Sequence, residues 1–191
     1  MDSLKFREWE PDGANGEKDK LQIMQIMQVL TAYVREYSPW PPKDEQLLEA
    51  TKKQPIDIHA ALTVLGGDIL GSSPKGQVSL MSTDLRWAYL VTAHLEKIDL
   101  IGAHLENADL WFIHLEGAFL WNANLRGARL WNADLRDADL TGADLQDARL
   151  DGADLRGAIL INTNLTQDQL HSASIDEHTQ LPEGLIRPAK S

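Results

Sequence analysis

The residues best placed to do chemistry are two histidines and two glutamates that recur at a fixed spacing. Glu96 follows His94 by two residues, and Glu116 follows His114 in the same way twenty residues later. Two imidazoles and two carboxylates are a ligand set that could bind a divalent metal ion. They could act together only in a fold that brings residues twenty positions apart into contact.

The rest of the sequence offers no catalytic motif. It contains no paired nucleophile and base, no glycine loop suited to phosphate and no cysteine. Seven aspartates that directly precede leucines are interpreted as repeat residues that hydrogen-bond locally, namely Asp84, Asp99, Asp109, Asp134, Asp139, Asp144 and Asp154. We therefore predict a protein that is not an enzyme, with no catalytic residues and no cofactor.

A leucine occupies every fifth position from Leu80 to Leu165, eighteen in succession. Alanine lies two residues before thirteen of them, so most pentads carry one large and one small apolar residue. On an α-helix, five residues turn the chain by about 500°, which would scatter the leucines around the helix. Along a flat strand they would alternate between faces. The spacing therefore predicts a chain that bends within every pentad and returns each leucine to a common interior.

Turn-forming residues lie two positions after the leucines. Glycine, asparagine or aspartate occupies twelve of these eighteen positions. These residue types tolerate the left-handed backbone conformation of tight turns. The corner of each pentad is predicted at this position.

The segment ADLTGADLQDARLDGADLRGA, residues 138–158, resembles the pentapeptide-repeat family, whose motif is A(D/N)LXX. The resemblance implies an all-β solenoid, a right-handed quadrilateral β-helix with four pentads in each coil. The repeats then make about 4.5–5 coils. The leucine and the small residue two positions before it point to the interior.

The first 77 residues have a different pattern. Residues 21–37 carry a broad apolar helical face, and residues 44–53 and 56–65 are further helical segments. VLTAYVREYSPW (29–40) and IDIHAALTVLG (56–66) resemble the region before the repeats in larger bacterial members of the family, and residues 165–185 resemble its closing segment. We predict an α-helical N-terminal region or cap at 1–77, the β-helix at 78–177 and a C-terminal capping tail at 178–191.

The residue after each leucine alternates between apolar and polar types along the chain. Ten residues make half a coil in the implied fold, so the apolar residues gather on two opposite walls. Large exposed apolar patches and aromatic anchors are typical of interfaces. The predicted interaction surface comprises Tyr89, Trp111, Phe112, Phe119, Trp121, Trp131, Ile159 and Ile161. The alternative is that the N-terminal helices cover one of the two walls.

The implied coil of twenty residues also stacks His94 on His114 and Glu116 on Arg136, about 5 Å apart. On an exposed flat wall, solvated polar ladders with a Glu116–Arg136 ion pair are favoured over a metal site. No metal ligand is therefore predicted.

Composition restricts the partners and the location. A net charge of −11 is unfavourable for direct binding to nucleic acid. The charged N-terminus does not resemble a secretory signal, and no apolar run is long enough to span a membrane. We expect a cytoplasmic protein without membrane contact.

Two functions remain open. The first is a non-catalytic scaffold that binds an unidentified protein partner, or a second copy as a homodimer, through an aromatic wall. The second, implied by the resemblance, is a DNA mimic that binds or protects DNA gyrase or topoisomerase. Aspartates such as Asp134 and Asp154 supply negative charge for mimicry, and Arg136 and Arg156 oppose it.

Overall fold

The computed structural model describes residues 79–188, which include all eighteen leucines of the pentad series. The predicted helices at 21–37, 44–53 and 56–65 lie outside these residues.

The described chain winds into a stack of coils held together by parallel β-bridges. Apart from the last, each bridge joins residues twenty positions apart, and successive pentads supply successive bridges, so four pentads make one coil. Each bridge involves a single residue from either coil. The bridging residues define four walls, which are wall 1 (79, 99, 119, 139, 159 and 180), wall 2 (84, 104, 124 and 144), wall 3 (89, 109, 129 and 149) and wall 4 (94, 114, 134, 154 and 174).

Leucine side chains fill the interior of the coils, as the fivefold spacing predicts. The eighteen leucines from Leu80 to Leu165 are at most 5 % exposed, and nearly all of the alanines two positions before them are buried. Backbone hydrogen bonds join adjacent coils. The Leu125 N–H donates to the Asp144 carbonyl at 2.8 Å, and the Asn124 N–H donates to the Ala103 carbonyl at 2.9 Å. Each coil therefore buries its apolar residues against its neighbours.

In seventeen of the eighteen pentads the second residue after the leucine forms the corner, as predicted, whereas Gln167, two residues after Leu165, begins a helix. All seventeen such residues from Ser82 to Asn162 have positive φ angles, between 52° and 72°. Corners of adjacent coils also fit together. A Cβ atom added to Gly127 would lie 2.7 Å from Asn107 Oδ1, so the asparagine side chain occupies the space that glycine leaves free.

Helix α1, Gln167–Ser172, ends the ladders of walls 2 and 3. Thr166 and Gln169 form a capping box at its start. Gln169 Nε2 donates to the carbonyls of Leu145 and Ala148, each at 2.8 Å. Asn164 Oδ1 accepts from the Leu145 N–H at 2.7 Å. Side chains thus satisfy the edge groups that another coil would pair.

The segment after α1 closes the other two walls. Asp176 Oδ1 accepts from the Gly157 N–H at 2.9 Å and from the Thr179 N–H at 3.0 Å. The bond from Gly157, followed by those from Thr179 and His178, lowers the pKa of Asp176 to about 2. Gln180 then bridges Ile159 at the end of wall 1. Within residues 79–188, no helix has the length and apolar character needed to cross a membrane.

Candidate interaction surface

Wall 3 carries a column of stacked aromatic rings. Trp111 and Trp131 lie one above the other on adjacent coils, with ring centroids 4.6 Å apart and planes tilted by 32°. Trp131 Nε1 donates to Asp151 Oδ2 at 3.0 Å. The Arg149 guanidinium carbon lies 5.1 Å from the Trp131 ring centroid, in cation–π range. Asp151 and Arg149 thus hold the Trp131 indole in orientation, and Trp111 is held by the stack, its Nε1 being buried without a hydrogen-bond partner among the described residues.

More exposed rings flank this column. Tyr89 is 57 % exposed on the same wall, and Phe112 is 51 % exposed at the corner that follows it. Trp87, also 51 % exposed, occupies the preceding corner in the first described coil and was not among the predicted surface residues. A signal for it existed in the sequence, because a large aromatic residue there replaces the usual glycine, asparagine or aspartate of a corner.

The other four predicted residues lie on the opposite wall and do not form one patch. Phe119 and Trp121 are 43 % and 46 % exposed on wall 1. Ile159 and Ile161 are two coils further along. The coil that separates them from Phe119 and Trp121 carries Asp139 and Thr141 on this wall. Thr141 Oγ1 donates to Asp139 Oδ1 at 2.6 Å, which places a polar pair in the middle of the wall. The eight predicted residues thus divide between wall 3, where Trp111 and Trp131 stack on adjacent coils, and wall 1, where a polar coil separates two apolar pairs.

Wall 4 carries ion pairs in its later coils. Arg136 Nη2 lies 3.0 Å from Glu116 Oε2, which confirms the predicted pair, and 2.7 Å from Asp134 Oδ2. The hydrogen bond from Arg136 lowers the pKa of Asp134, and that from Arg156 lowers the pKa of Asp154. These carboxylates remain charged and compensated within the wall.

Most of the aspartates before the leucines bond locally, as predicted. In the pentads of Asp84, Asp99, Asp134, Asp139, Asp144 and Asp154, the carboxylate accepts the N–H of the residue two positions later at 3.0–3.2 Å. Asp109 instead lies 2.5 Å from Arg129 Nη1 on the next coil. Their role is to hold the turns.

The histidine and glutamate cluster predicted to stack on wall 4 is brought together. The rings of His94 and His114 are parallel within 7°, with centroids 4.2 Å apart. His94 Nδ1 lies 3.0 Å from Glu96 Oε1. Glu116 is engaged by Arg136. Three of the four residues, His94, Glu96 and His114, thus remain as neighbouring side chains that could coordinate a metal ion.

A protein-family model matches the repeats of this chain. The family model described as pentapeptide repeats matches eight copies over residues 79–110, 103–142 and 138–174. No curated protein matches the chain. Among solved structures, the chain is similar to Rfr23, a pentapeptide repeat protein from the cyanobacterium Cyanothece 51142, with 32% identity over 57% of this chain and 71% of that chain and a TM-score of 0.43.

Two further solved structures are more distant. HetL, a pentapeptide repeat protein involved in heterocyst differentiation regulation from the cyanobacterium Nostoc sp. strain PCC 7120, is 29% identical over 60% of this chain and 65% of its own, with a TM-score of 0.26. QnrB1, a plasmid-mediated fluoroquinolone resistance protein, is 16% identical over 55% and 60%, with a TM-score of 0.42. These two matches span less than two thirds of HetL and of QnrB1. Because the repeat model covers residues 79–174, half of the 191 residues, the chain belongs to the pentapeptide repeat family.

Proposed function

We propose that this protein is a non-catalytic interaction module that presents wall 3 to the surface of another protein or of a second copy of itself. The coils, whose winding we infer to be right-handed from the family, serve as a rigid support. The observation that carries the proposal is the Trp111–Trp131 stack on wall 3, together with the exposed rings of Tyr89 and Phe112 on the same side and Trp87 at the preceding corner.

Rigid aromatic side chains favour tight association. Trp and Tyr bury a large area with few rotatable bonds, so little conformational entropy is lost when they are covered. The Trp111–Trp131 stack and the Trp131–Asp151 hydrogen bond reduce this loss further, because the indoles are already ordered. Wall 3 is therefore pre-organised to act as a binding surface.

Charged groups border the stacked indoles on one side and toward the C-terminal end of wall 3. Arg129 pairs with Asp109, and Arg149 and Asp151 lie beside Trp131. An apolar centre with a polar border is the usual anatomy of a protein interface. The charges also include both signs, which suits a protein surface better than a uniformly charged ligand.

Light scattering at several protein concentrations tests the self-association form of this proposal. The wall 3 variant Tyr89→Asp/Phe112→Asn introduces the residue types found twenty positions later, Asp109 and Asn132. Because the next coil already accommodates them, the fold should be retained. We expect it to raise the dimer dissociation constant at least about tenfold if a second copy is the partner.

The matched control is Phe119→Asp/Trp121→Thr on wall 1, which copies the Asp139–Thr141 pair of the next coil. It should leave the molar mass unchanged at every concentration. A dimer that the control splits while the wall 3 variant does not would assign the interface to wall 1 and contradict the proposal. A monomeric wild type directs the search to a different protein.

The second candidate is a DNA mimic acting on gyrase or topoisomerase, which the family membership suggests. The acidic residues of walls 3 and 4 weigh against it, because Arg129, Arg136 and Arg156 pair with Asp109, Asp134 and Asp154. A gyrase supercoiling assay distinguishes the candidates. We expect no change in activity at protein concentrations that saturate a wall 3 partner, whereas inhibition or protection would favour mimicry.

A further inference from the structure

The tripeptide His-Leu-Glu occurs three times, at residues 94–96, 104–106 and 114–116. Successive copies are ten residues apart, which is half a coil. The first and third copies therefore stack directly on wall 4, and the second lies by itself on the opposite wall 2. The chain thus contains two stacked copies and one unstacked copy of the same tripeptide.

The two stacked copies bring together three side chains that could coordinate a metal ion. One ligand atom each from His94, Glu96 and His114 can be chosen so that all lie within 4.8 Å of one another. The backbone beneath them is held by bonds from Leu95 N to His114 O and from His114 N to Ala93 O, each 2.8 Å. The ligands are therefore carried by a rigid ladder rather than by a loop.

One carboxylate oxygen of this cluster is incompletely satisfied. Glu96 Oε1 contacts His94 Nδ1, but Oε2 is buried and accepts no hydrogen bond from any residue in the described part of the chain. A buried carboxylate oxygen without a donor is costly unless a cation neutralises it. Glu106 Oε2 on wall 2 shares this feature, so the second imidazole is what sets wall 4 apart.

We propose that His94, Glu96 and His114 bind one divalent transition metal ion such as Zn²⁺, with solvent completing the coordination. Imidazole and carboxylate are preferred ligands for zinc, and three protein ligands leave one position open. Ligand atoms on a tetrahedral zinc lie roughly 3.3 Å apart, given bonds of about 2.0–2.1 Å. The most widely separated ligand atoms, within 4.8 Å of one another here, must therefore approach by up to about 1.5 Å, and one imidazole must rotate out of the parallel stack so that both lone pairs converge.

Wall 2 provides an internal comparison. His104 Nδ1 lies 3.3 Å from Glu106 Oε1, much as His94 contacts Glu96, but the next coil places Asn124 rather than a histidine against His104. Asn124 Nδ2 donates to the same Glu106 oxygen at 2.7 Å. Asn124 thus supplies no imidazole to coordinate a metal, and its amide already donates a hydrogen bond to the Glu106 carboxylate. We therefore expect metal binding on wall 4 and none on wall 2.

Calorimetric titration of the full chain with ZnCl₂ tests this assignment. The variant His114→Asn gives wall 4 the residues of wall 2, and His104→Asn is the matched control. We expect His114→Asn to weaken the strongest zinc site at least about tenfold, since loss of even an outer-shell partner costs about 10–100-fold. His104→Asn should leave that affinity unchanged. The reverse variant Asn124→His should add a second site of similar affinity.

Visible absorption with Co²⁺ gives an independent readout of the coordination. The wild type and His104→Asn should develop the intense bands of a four-coordinate ion, and His114→Asn should not. Asparagine already occupies the equivalent position on wall 2, so folding of this variant is expected and circular dichroism verifies it. Equal zinc affinity in the wild type and His114→Asn, or no zinc binding by the wild type, would overturn the proposal.

Discussion

At the scale of single residues, each position of the pentad has a distinct physical task. The leucine fills the interior, the preceding aspartate or asparagine bonds to the turn, and the second following residue adopts positive φ. The leucine spacing and the twelve turn residues of the sequence were enough to predict the inward and corner positions. The structure agrees with these two assignments because the same local geometry is repeated from pentad to pentad along the coils.

Substitutions in one coil separate inward from outward positions. Leu125→Ala should cost about 2–5 kcal/mol of unfolding free energy through the cavity it leaves, and Ala128→Leu about 1–3 kcal/mol through overpacking. Arg126→Ala, on the exposed side of the same turn, should change stability little. Urea denaturation midpoints give the ranking, and an Arg126 variant as unstable as the Leu125 variant would refute the assignment.

Corners that hold unsuitable residues should be improvable. Thr92 has a φ of 58° although a β-branched side chain is strained there. Thr92→Asn should therefore stabilise the protein by about 0.5–1 kcal/mol, because asparagine tolerates this conformation and left-handed backbone costs other residues about 1–2 kcal/mol. Gly127→Ala should destabilise it, since the φ of 64° strains a residue with a Cβ atom and that Cβ would also lie 2.7 Å from Asn107 Oδ1. Thermal unfolding of both variants measures these opposite shifts.

At the scale of elements, side chains of the C-terminal segment end the coils by bonding to backbone groups that a further coil would otherwise pair. The leucine periodicity concealed this, because Leu170 continues the fivefold spacing and is buried, although it lies in helix α1. The available signal was local, since Thr166 and Gln169 have the spacing of a capping box. Trp87 and the Asp139–Thr141 interruption were missed for a related reason, because each departs from the average pattern of its column.

Gln169 should be the most important side chain of the cap. Gln169→Ala removes two bonds to the carbonyls of Leu145 and Ala148 and breaks the capping box. We expect a loss of about 2 kcal/mol, since leaving buried acceptors unpaired costs about 1–3 kcal/mol. Chemical denaturation measures the loss, with the exposed neighbour change Asp168→Asn as control. Equal effects of the two changes would show that Gln169 has no special role.

The cap should also make stability depend on acid. The folded pKa of Asp176 is about 2, below the usual value of a free aspartate, because the Gly157 N–H and its neighbours bond to the ionised carboxylate. A lowered pKa contributes stability that is complete above about pH 4 and is lost as the pH falls toward 2. Asp176→Asn should lower stability near neutral pH and flatten the decline below about pH 4. Unfolding midpoints across this range would contradict the account if both proteins declined equally.

At the scale of the whole molecule, the regular coil carries two irregular features on its outside. Wall 3 concentrates ordered aromatic rings, and wall 4 begins with the His94–His114 stack and continues into ion pairs. The sequence identified both because a fixed coil length converts spacing along the chain into neighbourhood in space. It left the choice between the two apolar walls open, and the polar pair within wall 1 now favours wall 3.

The central claim, that wall 3 is available as an interaction surface, is tested most directly by the reactivity of a single cysteine. The chain contains no cysteine, so Tyr89→Cys introduces one thiol on wall 3, and Arg126→Cys on wall 2 gives a reference rate. We expect the two thiols of the full chain to react with a maleimide at similar rates in dilute solution. Protection of residue 89 should arise only at concentrations where light scattering detects association, or on addition of a partner. Strong protection in the dilute monomer would mean that the chain covers wall 3 itself, and would contradict the account.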